Sequence, residues 1–346
     1  MVTESPQFNY GQVPEIPPGF NVQEVFVAGN RGTCGGVEMT LAAVSQIMEV
    51  VPQEIPIYAT NTPINFPQAF ERYGDRLKIA GGNISDVPDG SILIVSAHGA
   101  PPSLFDEAKS KNLHVIDVTC PIVTEEQKLV RNTAAKGIPI VYLGEENHPE
   151  TIGIKGQVPK GAIKVFDPNE PIPEDEHIPD GAKLFVKTTN DPARNELRAN
   201  ELKERVGELD DTRILPCYAL KNRYAAGKPL IEGVDLWMVV GDISSNNARG
   251  LRDIEVKGPA GEGKLIPRML VGKPQDIDWE MFTPSVRKVG VTAAASAPEE
   301  FTQRILNEFR RLGVNVIELP QVLPEMPRTF RLPKEQLEAL RQKYAD

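Results

Sequence analysis

Eight short runs rich in Val, Ile and Leu recur along the chain, and each stops abruptly at small or polar residues before a helix-like stretch. They are EVFVAG at 24–29, SILIVSAHG at 91–99, LHVIDVTC at 113–120, IPIVYLG at 138–144, KLFVKTTND at 183–191, RILPC at 213–217, DLWMVVGDISSNN at 235–247 and VRKVGVTAAASAP at 286–298. Strands that are apolar on nearly every residue belong in parallel sheets covered by helices on both faces. In such sheets ligands bind beyond the carboxyl ends of the strands. Almost every unusual polar residue of this chain lies at one of those ends.

Three of the runs lead into the only cysteines, Cys34 in NRGTCGG, Cys120 in DVTCPIV and Cys217 in LPCYALKN. From 34 to 120 is 86 residues and from 120 to 217 is 97, a near-even division into three α/β units. The boundaries that follow are an N-terminal extension at 1–21, units at 22–118, 119–213 and 214–330, and a C-terminal segment at 331–346. Each cysteine ends a strand and opens a helix, where a helix N-terminus lowers a thiol pKa. Three uses of the thiols are open at this point. They are small buried hydrophobes, or three ligands of a zinc completed by histidine, or the ligands of an iron–sulfur cluster. A cubane cluster held by three cysteines leaves one iron free to act on substrate as a Lewis acid.

Composition removes other classes. The net charge of −10 argues against a nucleic-acid or anionic-membrane partner, for which a basic face would be expected. No apolar run reaches the roughly 18 residues of a membrane span. The first residues, MVTESPQFNYGQVPEIPPGF, lack the basic start and apolar run of a secretory signal, and their prolines suggest an extended arm. An odd number of cysteines in such a chain fits a reducing, cytoplasmic setting and metal or catalytic chemistry, not a disulfide framework.

Of the four histidines, His98 in SAHGAPP and His148 in ENHPETIG lie in strand-end loops. His114 sits inside an apolar strand and reads as structural, and His177 lies in the acidic IPEDEHIPDG and reads as exposed. His148 and Glu150 are two apart, so an extended loop turns both into one pocket, and an imidazole beside a carboxyl can relay a proton.

Taken together, RGTCGGV, DGSILIVSAHG, DVTCPIVT, NHPETIGIKGQ, the Thr pair at 188–189, CYALKNR, VVGDISSNN and VGVTAAASAP resemble the 4-hydroxy-3-methylbut-2-enyl diphosphate reductases, the LytB-type iron–sulfur enzymes of the non-mevalonate route to isoprenoids. The resemblance runs from about residue 24 to TFRLPKE at 329–335. It implies three similar α/β domains with small, mostly parallel sheets, arranged as a trefoil around a central [4Fe–4S] cluster. Cys34, Cys120 and Cys217 would each supply one ligand, leaving one iron open. There the substrate hydroxyl would bind and leave as water after two electrons and two protons are added, giving isopentenyl and dimethylallyl diphosphates. The resemblance further implies Glu150 as proton source, with His148 and Thr188 in its hydrogen-bond network. It places the diphosphate among His98, Asn222, Ser245, Asn247 and Ser296, with Asn61 where the family has a histidine, and with Ser244 and Asn246 as rivals one residue out of register. Neutral hydroxyl, amide and imidazole donors can hold a diphosphate without a cluster of lysines. The electron donor implied is a ferredoxin- or flavodoxin-type protein.

The chain also departs from the family. HEVVHN becomes NTPINF at 61–66, and CYATxNRQ becomes CYALKNRY, with Leu220 and Tyr224 as the new residues. TQTT becomes VKTT with Lys187, SSNS becomes SSNN followed by Arg249, and TCPxVTKVH becomes TCPIVTEEQ. The presumptive ligands and proton relay persist while the substrate periphery changes. A paralogue acting on a different small substrate is therefore the alternative reading. A non-catalytic redox sensor is a third, and Glu150 counts against it, because a sensor needs no proton donor at its cluster.

Overall fold

A computed structural model describes residue 16 and residues 18–213, 217–255, 266–325 and 330–344. From the N-terminus, β1 (Glu24–Val27) leads into α1 (Gly35–Val50). Then come β2 (Ile57–Ala59), β3 (Leu77–Ile79), β4 (Ile92–Val95), α2 (Pro102–Ser110) and β5 (His114–Asp117). The middle of the chain forms α3 (Pro121–Ala135), β6 (Ile140–Leu143), α4 (Pro149–Lys155), β7 (Ile163–Phe166), β8 (Ala182–Val186), α5 (Pro192–Lys203) and β9 (Leu209–Arg213). The last part forms α6 (Tyr218–Glu232), β10 (Leu236–Val240), α7 (Asn246–Arg252), β11 (Arg268–Val271), β12 (Lys288–Ala293), α8 (Glu299–Arg311), β13 (Asn315–Glu318) and α9 (Lys334–Lys343).

These strands make three parallel sheets, ordered β3-β2-β4-β5, β7-β6-β8-β9 and β11-β10-β12-β1-β13. The first two orders are the same pattern, and the third repeats it with β1 in the place of β5 and β9. Pairing of β1 with both β12 and β13 corrects the contiguous units expected at 22–118 and 214–330. The strand before Cys34 belongs to the sheet built by the C-terminal part, and β13 is displaced to the edge. The reason is physical. A strand as apolar as EVFV, with Val25 and Val27 fully buried, is best satisfied between two neighbours, and the more exposed NVIE of β13 takes the edge.

The central strands are closed on both faces, with every residue of β4 (ILIV), β6 (IVYL) and β10 (LWMVV) buried. Helices cover them with single apolar stripes, as in α8, where Phe301, Thr302, Ile305, Leu306 and Phe309 face inward. The helix α1 is shared: its Val37, Val44 and Ile47 join one core with Val25 and Met238 of the largest sheet and Ile57 and Ile94 of the first. That common core locks two units together and fixes where Cys34 stands. His114 is exposed at the start of β5 beside Lys343 Nζ. Most of the N-terminal extension and residues 214–216 of RILPC lie outside the described residues. Among the described residues no helix is long and apolar enough to cross a membrane.

Candidate active site

Each cysteine is the cap residue of a helix, Cys34 of α1, Cys120 of α3 and Cys217 of α6, and none spends its side chain on a capping bond. Their backbones are tied down in one repeated way. Cys34 N–H donates to Ala295 O at 3.1 Å, Cys120 N–H to Ala97 O at 3.0 Å and Cys217 N–H to Thr188 O at 3.1 Å. The acceptors lie in the loops leaving β12, β4 and β8. At or beside each acceptor stands a polar residue of the same cavity: Ser296, His98 and Thr188. One backbone bond per unit thus sets a sulfur next to a polar side chain, three times over.

The three cysteines, His98, Glu150, Thr188, Ser245, Asn247 and Ser296 all line one cavity of about 100 Å³. Its apolar side is made by Ile64, Ile122, Val123, Leu220 and Phe330, and among the described residues no lysine or arginine lines it. Gly36 keeps the sulfur end open: a Cβ there would lie 2.9 Å from Cys120 Sγ and 3.9 Å from Cys34 Sγ. Gly99 has φ +77°, and a Cβ on it would meet Gln127 Nε2 at 2.7 Å, so the SAHG turn that delivers His98 requires glycine.

Electrostatics correct one expectation about the thiols. Burial pushes both Cys120 and Cys217 up to about 12 and raises Cys34 as well, outweighing the N–H groups of the helix starts. The sulfurs crowd one another, which adds to the rise at Cys120 and Cys217. Neutral thiols of this kind give up their protons to a bound cationic centre. Space between the sulfurs, three helix N-termini converging on them and thiols placed to couple fit a compact metal–sulfur group. Among the described residues no three His, Cys, Asp or Glu side chains form a single-ion constellation.

In the same cavity Glu150 is buried, and its two oxygens accept from Thr188 N–H at 2.7 Å and Thr188 Oγ1–H at 2.9 Å. Burial raises its carboxyl above the usual carboxylate range, against those bonds and the nearby Lys187 charge. His148 does not line the cavity. It caps α4, with Nδ1 accepting the Glu150 N–H at 3.1 Å and its ring 5.5 Å from that of His98. Its role here is to orient the helix start that carries Glu150. Burial and the Lys187 charge take His98 down to about 4 and His148 down to about 2, so both rings are neutral near pH 7. Asn247 Oδ1 and Ser296 Oγ are buried without a hydrogen-bond partner, which is what a polar ligand in the cavity would supply.

Some residues named from the sequence stand elsewhere. Asn61 does not line the cavity; Asn65, at the other end of NTPINF, does. The chain turns there, with Phe66 N–H bonded to Ile64 O at 2.8 Å and Ala97 N–H to Pro63 O at 3.1 Å, which carries residues 64 and 65 inward. Ser244 is exposed and bonded to Asp242, and Asn246 bonds Glu145, leaving Ser245 and Asn247 at the cavity. Asn222 donates to Pro324 O at 3.0 Å and holds the C-terminal segment instead of facing the cavity. Lys187 is fully buried in an ion pair with Glu145. Sequence reasoning missed Tyr218, Thr189 and Phe330 on the lining, and Arg223, whose buried guanidinium bonds Gly32 O, Thr33 O and Glu325. Tyr218 directly follows Cys217, its hydroxyl accepting the Gly35 N–H at 3.3 Å, so adjacency to a cysteine was the available signal.

A three-sheet α/β frame that gathers one cysteine per sheet beside a buried carboxyl, in a chain similar to named reductases, defines an oxidoreductase by class. More narrowly, the chain belongs to the LytB family, whose "LytB protein" model matches residues 25–310. Among curated proteins it is similar to the 4-hydroxy-3-methylbut-2-enyl diphosphate reductase of Haemophilus influenzae (strain PittEE), 32% identical over 318 residues covering 90% of this chain and 98% of that protein. The protein of the same name from Vibrio cholerae serotype O1 is 32% identical over 327 residues, with the same coverage. Among solved structures it is similar to the E-1-hydroxy-2-methyl-but-2-enyl-4-diphosphate reductase from Plasmodium falciparum, with a TM-score of 0.77 and 26% identity over 93% of this chain and 99% of that one.

Proposed function

We propose that the chain is a reductase that removes the hydroxyl of 4-hydroxy-3-methylbut-2-enyl diphosphate as water, giving isopentenyl and dimethylallyl diphosphates. The observation that carries this is the meeting of three cysteines and one buried carboxyl in a single cavity, in a chain of the LytB family. Cys34, Cys120 and Cys217 would hold a [4Fe–4S] cluster with one open iron. When bound, the cluster supplies electrons and a Lewis-acidic site for the substrate hydroxyl. Glu150, whose carboxyl is made harder to ionise by burial, donates a proton, and the two Thr188 bonds then stabilise the carboxylate left behind. The reaction adds two electrons and two protons; one C–O bond breaks and its oxygen leaves as water. His98, Ser245, Asn247 and Ser296 bind the diphosphate through neutral donors, and the apolar wall excludes water from the hydrocarbon. The electrons come from a ferredoxin- or flavodoxin-type donor, and the free thiols suit a reducing, cytoplasmic setting.

Leu220 and Asn65 favour a second reading, because both line the cavity and both differ from the family pattern. In it the same machinery acts on another small substrate. The test is turnover by anaerobically purified, reduced protein given 4-hydroxy-3-methylbut-2-enyl diphosphate. Formation of the two isoprenoid diphosphates is the expected result. A full cluster with no turnover would move the conclusion to the second reading.

A further inference from the structure

Glu145 stands at the end of β6, where its backbone carbonyl accepts the His148 N–H at 3.0 Å. Its side chain joins two other strand ends. Oε2 accepts from Lys187 Nζ at 2.5 Å, on the residue before Thr188, and Oε1 accepts from Asn246 Nδ2 at 2.5 Å, on the first residue of α7. Asn246 Oδ1 accepts in turn from Arg249, whose guanidinium also donates to Ile243 O at 2.5 Å. One carboxylate therefore links the Thr188 strand end, the loop of His148 and Glu150, and the helix start that presents Ser245 and Asn247.

Lys187 has no exposed side-chain surface and is the one lysine among the buried described residues. Desolvating an ammonium is costly unless it is paired, so Glu145 is where that side chain is held. Lys187 and Arg249 are unrelated departures from the family in sequence, yet both end on this one chain of bonds. Asn247 Oδ1 has no hydrogen-bond partner of its own, so its placement depends on how α7 is anchored.

We propose that Glu145, held by Lys187, is a positioning residue for the diphosphate, fixing through Asn246 where Ser245 and Asn247 stand in the cavity they share with Glu150. This rests on the reading of the cavity as a diphosphate site. Asn246→Ala cuts the link to α7 while leaving the buried ion pair intact. In the cluster-loaded protein it weakens the affinity for inorganic diphosphate by about tenfold, the size of a lost charge-assisted hydrogen bond. KM for 4-hydroxy-3-methylbut-2-enyl diphosphate rises with it, while kcat, iron content and Tm stay near wild type. The double variant Lys187→Gln with Glu145→Gln removes both charges together and shows the same selective loss. Wild type that binds inorganic diphosphate, with both variants binding it equally well, overturns this proposal alone. Variants that lose iron and Tm with no selective change in affinity also overturn it, since the network is then merely structural. Wild type that binds no inorganic diphosphate sinks the functional reading and this one with it.

Discussion

The cysteines of the cavity and the polar side chains beside them are held by different rules. On the cysteine side one geometry occurs three times: strand, cysteine at a helix start, and a backbone bond from the cysteine N–H to the loop of the neighbouring strand. Among the polar side chains beside them the chemistry does not repeat. His98, Ser296 and the Thr188–Glu150 pair stand at equivalent strand ends and do different chemistry, and α7 adds Ser245 and Asn247 from the largest sheet alone. Backbone can supply a threefold frame because its hydrogen bonds do not depend on side-chain identity. An asymmetric substrate with a diphosphate at one end and a hydroxyl at the other needs side chains that break the symmetry.

The sharpest way to break the comparison is on the symmetric side. Cys34→Ser, Cys120→Ser and Cys217→Ser are expected to be equally damaging, each abolishing turnover and bleaching the anaerobic protein, as read by absorbance and iron content. A variant that kept full colour and activity would show that the three positions are not equivalent. Next in size is the proton wall. Glu150→Gln keeps the shape and one of the two acceptors for Thr188 but has no carboxylic proton. Turnover should fall by about 10²–10⁴-fold with iron content and substrate affinity retained. Wild-type turnover would make Glu150 structural.

A smaller effect concerns His98, whose folded pKa of about 4 lies below the ordinary 6.5. The unfolded chain binds the proton more readily, so this contribution to stability is fully present above 6.5 and is lost as pH falls towards 4. Between neutral pH and about pH 5 the loss is on the order of 2 kcal/mol. His98→Gln should flatten that part of the Tm profile, and an unchanged profile would contradict the burial argument. Smallest is the pocket periphery. Asn65→His with Leu220→Thr should raise kcat/KM for the isoprenoid diphosphate by about tenfold, roughly 1.4 kcal/mol. Asn61→His with Leu220→Thr should not, because Asn61 is off the lining.

The same contrast explains what could be read from the sequence. Interior strands such as β4, β6, β8, β10 and β12 were visible as continuous apolar runs, since both their faces are covered. Of the edge strands β5 was legible, as part of LHVIDVTC, but β3, β7, β11 and β13 were not, because their residues are mixed; LDDTR of β9 is the extreme case. The short IYA of β2 also passed unnoticed although it is interior. The cysteines and the HPE loop were legible as rare residues at strand ends. The place of β1 in the distant sheet was not, because period and composition carry no record of which sheet a strand joins. Asn61 and Asn65 lie four residues apart in one loop, and only the turn at Ile64–Phe66 decides which faces the cavity. Nothing in the sequence ties Lys187 to Arg249; their link through Glu145 and Asn246 is a property of the folded chain.

Three cysteines in one cavity are expected to act together on one polynuclear centre. Metal analysis of the anaerobically purified wild-type protein tests it most directly. The account predicts a brown protein with about four irons and matching acid-labile sulfide per chain, as a cubane cluster requires. A colourless protein carrying one zinc per chain would contradict it and make the cysteines a three-thiolate zinc site.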